Sequence, residues 1–411
     1  MSEAAHIPQL RFPEYSANWS QRLLSDFLIP TLREIEKPKV NYLAIGLRSH
    51  CKGTFQKPDS DPSKIAMEKL FRVKENDLIV NITFAWEGAI AIVKENDEGG
   101  LVSHRFPTYT FDTNITSHHF FKHQFINKRF RYLLDLISPG GAGRNRVMSK
   151  KEFVKLKVPL PSVGEQQKIA AFLTAVDKKI EQLSKKQELL GEYKKGLMQK
   201  IFSQAIRFRA DDGCDFPDWE EKKLGGIGHT FNGLTGKTKD DFGRGKPYIQ
   251  YMQIFESSKI NIDNFGLVDV RDDENQKVAQ YGDVFFTTSS ETPDAVGYSS
   301  VLLDDIDKLY LNSFCFGFRP NSLDELSPNF AQFLLRSANF RRRVVRLAQG
   351  STRYNMSKVQ LMKEVISLPC LKEQTKIANF LSSIDSKIEQ VSKQLDESKQ
   401  FKKALLQQMF V

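Results

Sequence analysis

The chain has 411 residues, 40% hydrophobic and 27% charged, with a formal net charge of +10 at pH 7, which suits two or more ordinary globular domains and points to an anionic partner, nucleic acid being the commonest. Its four cysteines form no CxxC pair and have no histidine at metal-ligand spacing, so no zinc site is expected, and free thiols in a reducing compartment are. No apolar run approaches the ~18 residues of a membrane span, and "MSEAAHIPQLRFPEYS" lacks the layout of a signal peptide, so a cytoplasmic protein is expected.

In chain order, residues 1–150 read as a first mixed domain. Its lead-in "LRFPEYSANWSQRLL" carries Trp19, and "VKENDLIVNITFAWEGAIAIV" predicts a strand, a polar loop and a strand beginning near Asp77. "SHHFFKHQFINKRFRYLL" predicts an aromatic-faced helix with His118 and His119 as surface or core residues, and "SPGGAGRNRVMS" leads out of the domain. In residues 151–205, "KVPLPSV" ends at Pro161 and a helix is predicted from near Glu165, because the chain around a proline is extended. Residues 206–357 follow the same plan: "IRFRADDGCDFPDWEEKKL" with Trp219, "AQYGDVFFTTSSETPDAVGYSSVLL" with Asp283, "SPNFAQFLLRSANFRRRVV", then "LAQGSTRYNMS". Residues 358–411 hold "VISLPCL", Pro369 and a second helix from near Glu373.

A displacement of 208 positions superposes Met148-Ser149-Lys150 on Met356-Ser357-Lys358 and runs without a gap to Phe202 and Phe410, with roughly 25 of about 55 positions identical. An internal duplication accounts for this. In each copy the apolar positions step by four and three: Ile169, Leu173, Val176, Ile180 and Leu183, continued by Leu190, Leu197 and Ile201, and Ile377, Leu381, Ile384, Ile388 and Val391, continued by Leu395, Leu405 and Met409. That is a heptad seam, interrupted by Gln187, Lys194, Ser398 and Lys402. Two such helices, each ~50 Å long at 1.5 Å per residue, are expected to pack on each other, with Ile180 and Ile388 central. Gly191 and Gly196 stand where the second copy has Lys399 and Ala404, which leaves the first helix the looser of the two.

No stretch is suited to catalysis. "GLTGKT" at Gly233–Thr238 has Phe231 where a phosphate loop needs its first glycine. The acidic residues of "FPDWEEK" are too crowded for a metal-dependent nuclease, "NITF" lacks the prolines of an amino-methyltransferase loop, and no glycine-rich turn after a strand suits S-adenosylmethionine. No catalytic residue, metal ligand or cofactor of its own is assigned to the chain.

"LPSVGEQQKIAAFLTAVDKKIEQL" and "LPCLKEQTKIANFLSSIDSKIEQV" resemble the conserved regions of the specificity subunit of type I restriction-modification systems, and "LRFPEYSANW" and "DFPDWEEKKLG" resemble the family's lead-in to each target recognition domain. The resemblance implies an α+β fold: two mixed α/β target recognition domains separated by two long antiparallel coiled-coil helices, a pseudo-twofold tandem repeat. It implies a chain that is no enzyme, each domain of which reads half of a split, non-palindromic site in double-stranded DNA. The helices would set the spacing and dock two modification (methyltransferase) subunits, which carry S-adenosylmethionine. Restriction/translocase subunits, which use ATP, would complete the complex.

Arg144, Arg146, Arg353 and Tyr354 lie in the glycine-containing loops and could meet phosphate or guanine, an ordinary solvated hinge being the alternative. Arg341, Arg342, Arg343 and Arg346 form the densest basic cluster, read as a phosphate contact against a charged helix face. Thr83, Trp86, Thr287, Ser289, Ser290 and Glu291, in the polar loops, are the base-reading candidates, with Trp86 equally placed to be core. A coiled-coil protein adaptor and a stand-alone bipartite DNA-binding protein remain as alternatives.

Overall fold

The computed structural model describes residues 7–141 and 146–411. The chain divides into two compact units, Met1–Ser184 with Lys393–Val411, and Lys185–Ser392. Each long helix contributes to both units, whereas the sequence partition gives each helix a segment of its own.

In the first unit, Leu28–Pro30, Thr108–Phe111, Leu78–Val80 and Ile90–Ile92 form a four-stranded antiparallel sheet in that order. Leu78, Ile79 and Val80 are all fully buried, as a run of apolar residues covered on both faces should be. A second, five-stranded sheet carries Tyr42–Leu47 and Thr54–Ser60 at one edge. The aromatic stretch makes α1 (His118–Gln124), capped by the Ser117 side chain, and α2 (Lys128–Leu136), capped by Asn127. Phe120, Phe121, Phe130 and Leu134 of these helices share one core with Trp19, Ile169, Leu173, Leu405, Met409 and Phe410. Ser149 caps α3 (Lys150–Phe153), which precedes the long helix α4 (Val163–Phe202).

In the second unit, α5 (Leu224–Ile227) leads to a four-stranded sheet ordered Gly228–Asn232, Cys315–Pro320, Val284–Thr287, Ser299–Val301. The short helix α6 (Tyr251–Glu256) packs beside it. The helices α7 (Pro328–Leu334) and α8 (Ala338–Arg346) answer to α1 and α2. Ser357 then caps α9 (Lys358–Leu361), and α10 (Leu371–Gln408) follows. The core joins Phe286, Phe316, Phe330, Phe333, Phe340 and Val344 to Ile201, Phe202, Ile377, Leu381 and Ile384 of the long helices.

The start of each long helix is held by the same set of contacts. Glu165, 1% exposed, accepts hydrogen bonds from Arg11 at 2.7 Å and from the Trp19 indole at 3.4 Å. Glu373, 0% exposed, accepts from Arg207 at 2.8 Å and from the Trp219 indole at 3.2 Å. A buried carboxylate is tolerated only when so paired, and the arginine also completes the carbonyls of its own lead-in, Ala17 in one copy and Phe216 and Pro217 in the other. The next residue tethers the helix to its domain. The Gln166 amide donates to the Ile115 and Pro161 carbonyls, and that of Gln374 to the Glu325 and Pro369 carbonyls. Each lead-in also pairs with the strand before the helix, Ser20–Leu23 with Lys157–Leu160 and Glu220–Lys223 with Val365–Leu368.

The helices are antiparallel. In the first unit Ile169 and Leu173 share a core with Leu405 and Met409, and Asp177 pairs with Lys402 at 2.5 Å. In the second unit Asp385 pairs with Lys194 at 2.5 Å. The lysines that interrupt the seam are thus satisfied by carboxylates of the facing helix.

Ile169, Leu173, Leu183, Ile377, Leu381, Ile384 and Val391 are buried, each such side chain stabilising by ~1.5–3 kcal/mol. Val176, Ile180 and Ile388 are half-buried, so Ile180 and Ile388 are less enclosed than their neighbours in the seam. α4 also runs unbroken through Gly191 and Gly196, so the expected loosening does not interrupt it. Among the described residues no helix is long and apolar enough to cross a membrane, and no group of three or more His, Cys, Asp or Glu is placed to hold a metal ion.

Candidate nucleic-acid interface

In both units the loop leading to the long helix is stitched back onto the polar loop of the sheet. Met148 N donates to the Ile82 carbonyl at 2.8 Å, and Met356 N donates to the Thr288 carbonyl at 2.9 Å. Candidates roughly 60 residues apart in the sequence are thereby neighbours: Thr83 and Trp86 with Arg146, and Ser289, Ser290 and Glu291 with Arg353 and Tyr354.

In the first unit, Trp86 sits in a short helical turn closed by Gly88, whose φ of +78° favours glycine. Its indole donates to the Thr83 carbonyl at 3.2 Å, and the Arg146 guanidinium lies 4.9 Å from its ring. Arg146 also donates to the Asp135 carboxylate at 2.5 Å and to the Asp135 and Ser138 carbonyls, both at 3.1 Å. Its Nε and Nη2 tie the end of α2 to the Trp86 turn, which sets that part of the guanidinium aside from DNA. Thr83 is buried, which removes it as a direct base reader, and its hydroxyl accepts from the exposed Arg105 at 3.4 Å. Arg144 lies outside the described residues.

Sequence reasoning missed the basic residues beside this turn. His50 N and Cys51 N donate to the Glu87 and Gly88 carbonyls, and the Ser49 hydroxyl meets the Glu87 carboxylate at 2.5 Å. That docking presents Arg48, His50 and Lys52, all exposed, next to the Trp86 turn. The local signal was the basic "RSHCKG" ending in a glycine.

In the second unit the two loops form a small three-stranded sheet, with Ser289–Ser290 and Ala348–Gln349 on either side of Tyr354–Met356. Gly350, at φ +136°, makes its turn possible, since a Cβ there would meet the Arg353 carbonyl at 2.1 Å. Arg353 and Glu291 are exposed, and Ser290 and Tyr354 are half-buried. Phe314, 60% exposed, joins them because its carbonyl accepts from Thr288 N. Ser289 is buried and acts through its backbone, its carbonyl accepting from the Tyr251 hydroxyl at 2.6 Å. Thr287, 0% exposed, accepts from Tyr298 N, so its assignment to base reading is corrected too.

The arginine cluster divides. Arg341 donates to the carbonyls of Asp294, Val296 and Gly297 at 2.6–2.8 Å and lies 4.2 Å from the Tyr298 ring. Burial pushes its pKa down, and it shapes the protein instead of meeting phosphate. Arg343 faces Glu364 at 3.6 Å. Arg342, exposed and bonded to Asn339, lines a cleft with Met198 and Phe202, residues of neither reading loop. Arg346 is exposed on the same helix. Arg336, which sequence reasoning passed over, donates to the Ile254, Phe255, Ser257 and Ser299 carbonyls and is pushed down to about 10 by burial. In "GLTGKT", Lys237 is held by Glu274 at 2.6 Å, so its amine is already paired.

The model of a family described as type I restriction modification DNA specificity domain matches residues 28–190 and again residues 217–398. The chain belongs to this family. It is 29% identical over 282 residues to the type I restriction enzyme MjaVIII specificity subunit of Methanocaldococcus jannaschii, an alignment covering 63% of this chain and 62% of that protein. It is 26% identical over 269 residues to the putative type I restriction enzyme MjaX specificity subunit of the same organism, covering 63% of this chain and 59% of that protein. The matched part is thus under two thirds of the length of these relatives. Among solved structures, the S subunit of a type I restriction-modification system from M. genitalium superposes with a TM-score of 0.59 at 15% identity, over 98% of this chain and 99% of that one. A chain solved in work on complex assembly and conformational transition of the type I R-M system gives 0.56 at 18% identity, over 94% and 96%. At such identities the likeness shows the fold: this specificity-family chain shares the architecture of two mixed α/β domains and two long helices.

Proposed function

We propose that this chain is the DNA sequence-recognition subunit of a type I restriction-modification complex. Residues 1–150 and 206–357 are its recognition domains, each reading one half of a split, non-palindromic site. Residues 151–205 and 358–411 are spacer helices that hold the half-sites at a fixed separation and dock two modification subunits. The chain catalyses nothing and takes no cofactor. S-adenosylmethionine belongs to the modification subunits and ATP to the restriction subunits, and the complex works in the cytoplasm on double-stranded DNA.

One observation carries this reading. The two units share the contacts that hold their helices, Arg11–Glu165–Trp19 and Arg207–Glu373–Trp219, yet present different reading loops on that frame. A symmetric dimer would present the same loop twice and read a palindrome. One chain with two unlike loops suits two unlike half-sites.

The test is co-expression with the modification subunits of the same host, followed by mapping of methylated adenines. Two unlike short half-sites at constant spacing are expected, with two modification subunits per chain. Failure of any modification subunit to co-purify would favour a stand-alone DNA-binding protein, and a palindromic map would refute two different readers.

A further inference from the structure

The first unit has a cleft of about 470 Å³ between the start of α2 and the last turns of α10. Its lining joins apolar residues, Ile126, Leu406 and Phe410, to the cations Lys128, Arg131, Lys399, Lys402 and Lys403, with no aspartate or glutamate among them. Lys402 is occupied by Asp177 at 2.5 Å. Lys399 stands 4.0 Å from Asp396, both more than half exposed, which is a loose pair at most. Lys128 and Lys403 are exposed.

Arg131 adds an unspent charge. It follows Phe130 as Arg341 follows Phe340, one helix turn after the cap. Arg341 gives its donors to three carbonyls of the neighbouring loop, whereas the Arg131 Nε is buried without a hydrogen-bond partner among the described residues. Leaving a buried donor unmade costs ~1–3 kcal/mol, so an acceptor brought to this side chain would be favoured.

In the second unit Lys194 and Lys195 stand 208 positions before Lys402 and Lys403, but Gly191 stands before Lys399, so that cation is not required by the frame. Met198 and Phe202 stand 208 positions before Leu406 and Phe410, and they line a cleft of about 500 Å³. There Ala338 takes the place of Lys128, and the lining holds no lysine, only Arg342. The duplication built the cleft twice, and the cations Lys128 and Lys399 are particular to the first copy.

A cationic rim over an apolar floor calls for a ligand that has both anionic and apolar groups. A nucleic-acid backbone supplies phosphates but no bulky aliphatic or aromatic group to fill the floor. An acidic polypeptide segment with a large aliphatic or aromatic side chain supplies both. We propose that this cleft seats an acidic, apolar-anchored segment of a partner protein, once per chain. The site adjoins the Trp86 turn, since a Cβ at Gly88 would meet Arg131 Cδ at 3.1 Å, but the proposal does not depend on the DNA-recognition reading.

The probe is a fluorescent synthetic dodecapeptide of Asp and Glu with one central Leu, titrated against the full-length chain. One-to-one binding that weakens with salt is expected. Lys399→Glu with Lys403→Glu should weaken it about tenfold or more while thermal unfolding stays unchanged, since both side chains are exposed. Replacing the central Leu of the peptide with Ser should weaken it comparably. Absence of binding, a stoichiometry of two, or equal binding of the Leu and Ser peptides would overturn the proposal. So would displacement of the peptide by random duplex DNA whose own binding depends on Lys399 and Lys403, which would make the cleft a phosphate surface.

Discussion

The two units are built alike where they hold the helices and differently where they face a ligand. Glu165 and Glu373 are buried to the same degree, and each meets one arginine and one tryptophan of its own lead-in. The reading loops share only their stitching point, Met148 to Ile82 and Met356 to Thr288. Beyond it, one unit makes a compact turn clamped by Arg146 and Trp86, and the other a three-stranded sheet around Tyr354. The duplication was therefore free to vary beyond the point at which the backbone is anchored. A loop can change its sequence at small cost if both of its ends are held by contacts that do not change.

The largest expected effect comes from breaking that common part. Glu165→Ala leaves Arg11 and the Trp19 indole without their acceptor, and Glu373→Ala does the same to Arg207 and Trp219. Each should cost about 3–5 kcal/mol, the usual penalty for removing one partner of a buried pair. Hydrogen exchange should show the first variant loosening Trp19 and its neighbours, and the second Trp219 and its neighbours. If one variant were tolerated and the other not, the two helix starts would not be equivalent after all.

A smaller effect separates arginines that look alike in sequence. Arg341→Ala removes the donor for the Asp294, Val296 and Gly297 carbonyls and should destabilise the second unit by ~1–3 kcal/mol. Arg342→Ala, at an exposed position, should leave stability nearly unchanged. Urea unfolding monitored in the second unit checks both. Equal stability of the two variants would return Arg341 to the DNA-facing set.

These arginines also mark where the sequence was legible. The helices could be read because their signal is local and repeated: heptads, a shared "EQ" and a proline before each start. Even the polar interruptions of the seam were visible, but Lys194 and Lys402 gave no hint of Asp385 and Asp177, which approach only through antiparallel packing. The interface was less legible because charge does not disclose its partner. Arg146 and Arg341 belong to basic stretches, yet their donors are used by carbonyls that the fold brings from elsewhere. Conversely, Arg48, His50 and Lys52 have only the short basic stretch "RSHCKG" as a local signal. They reach the interface because the backbone of their turn bonds to residues 87 and 88. Thr83 and Thr287 were chosen for their hydroxyls, which face inward because each ends an inner strand or opens its turn.

Acid should distinguish the units. The Ser117 and Ser327 caps align α1 with α7, and this alignment sets His123 against Phe333. His123 is buried with neither ring nitrogen bonded among the described residues, and burial, helped by Lys122, Lys402 and His119, pushes its pKa down to about 3. The unfolded imidazole titrates near ~6.5, so between about 3 and 6.5 the unfolded chain binds the extra proton. Stability from this position is therefore complete above ~6.5 and lost as the pH falls toward 3, by at most about 1.4 kcal/mol per pH unit. The first unit should open before the second on acidification, and His123→Phe, which copies the second unit, should shift its acid midpoint downward. Unchanged acid unfolding in that variant would show that the imidazole is solvated.

The smallest effect tests whether two differently built loops do equivalent work. Arg48 beside the Trp86 turn and Arg353 beside the Ser290 strand are both exposed cations next to a reading loop. If each meets a phosphate, Arg48→Gln and Arg353→Gln should each reduce the slope of log affinity against log salt by about 0.9, weakening all DNA sequences alike. Arg342→Gln should leave the slope unchanged, because Arg342 lines the cleft with Met198 and Phe202 and belongs to neither loop. If Arg353→Gln relaxed the preference at one base pair, at a cost of ~1–3 kcal/mol there, it would be a base reader. The loops would then divide the work differently, with the compact turn steering the backbone and the sheet reading an edge. A change in slope from Arg342→Gln equal to the other two would place the end of α8 on the DNA as well, and the neighbourhood drawn from Ser290, Arg353 and Phe314 would be too small.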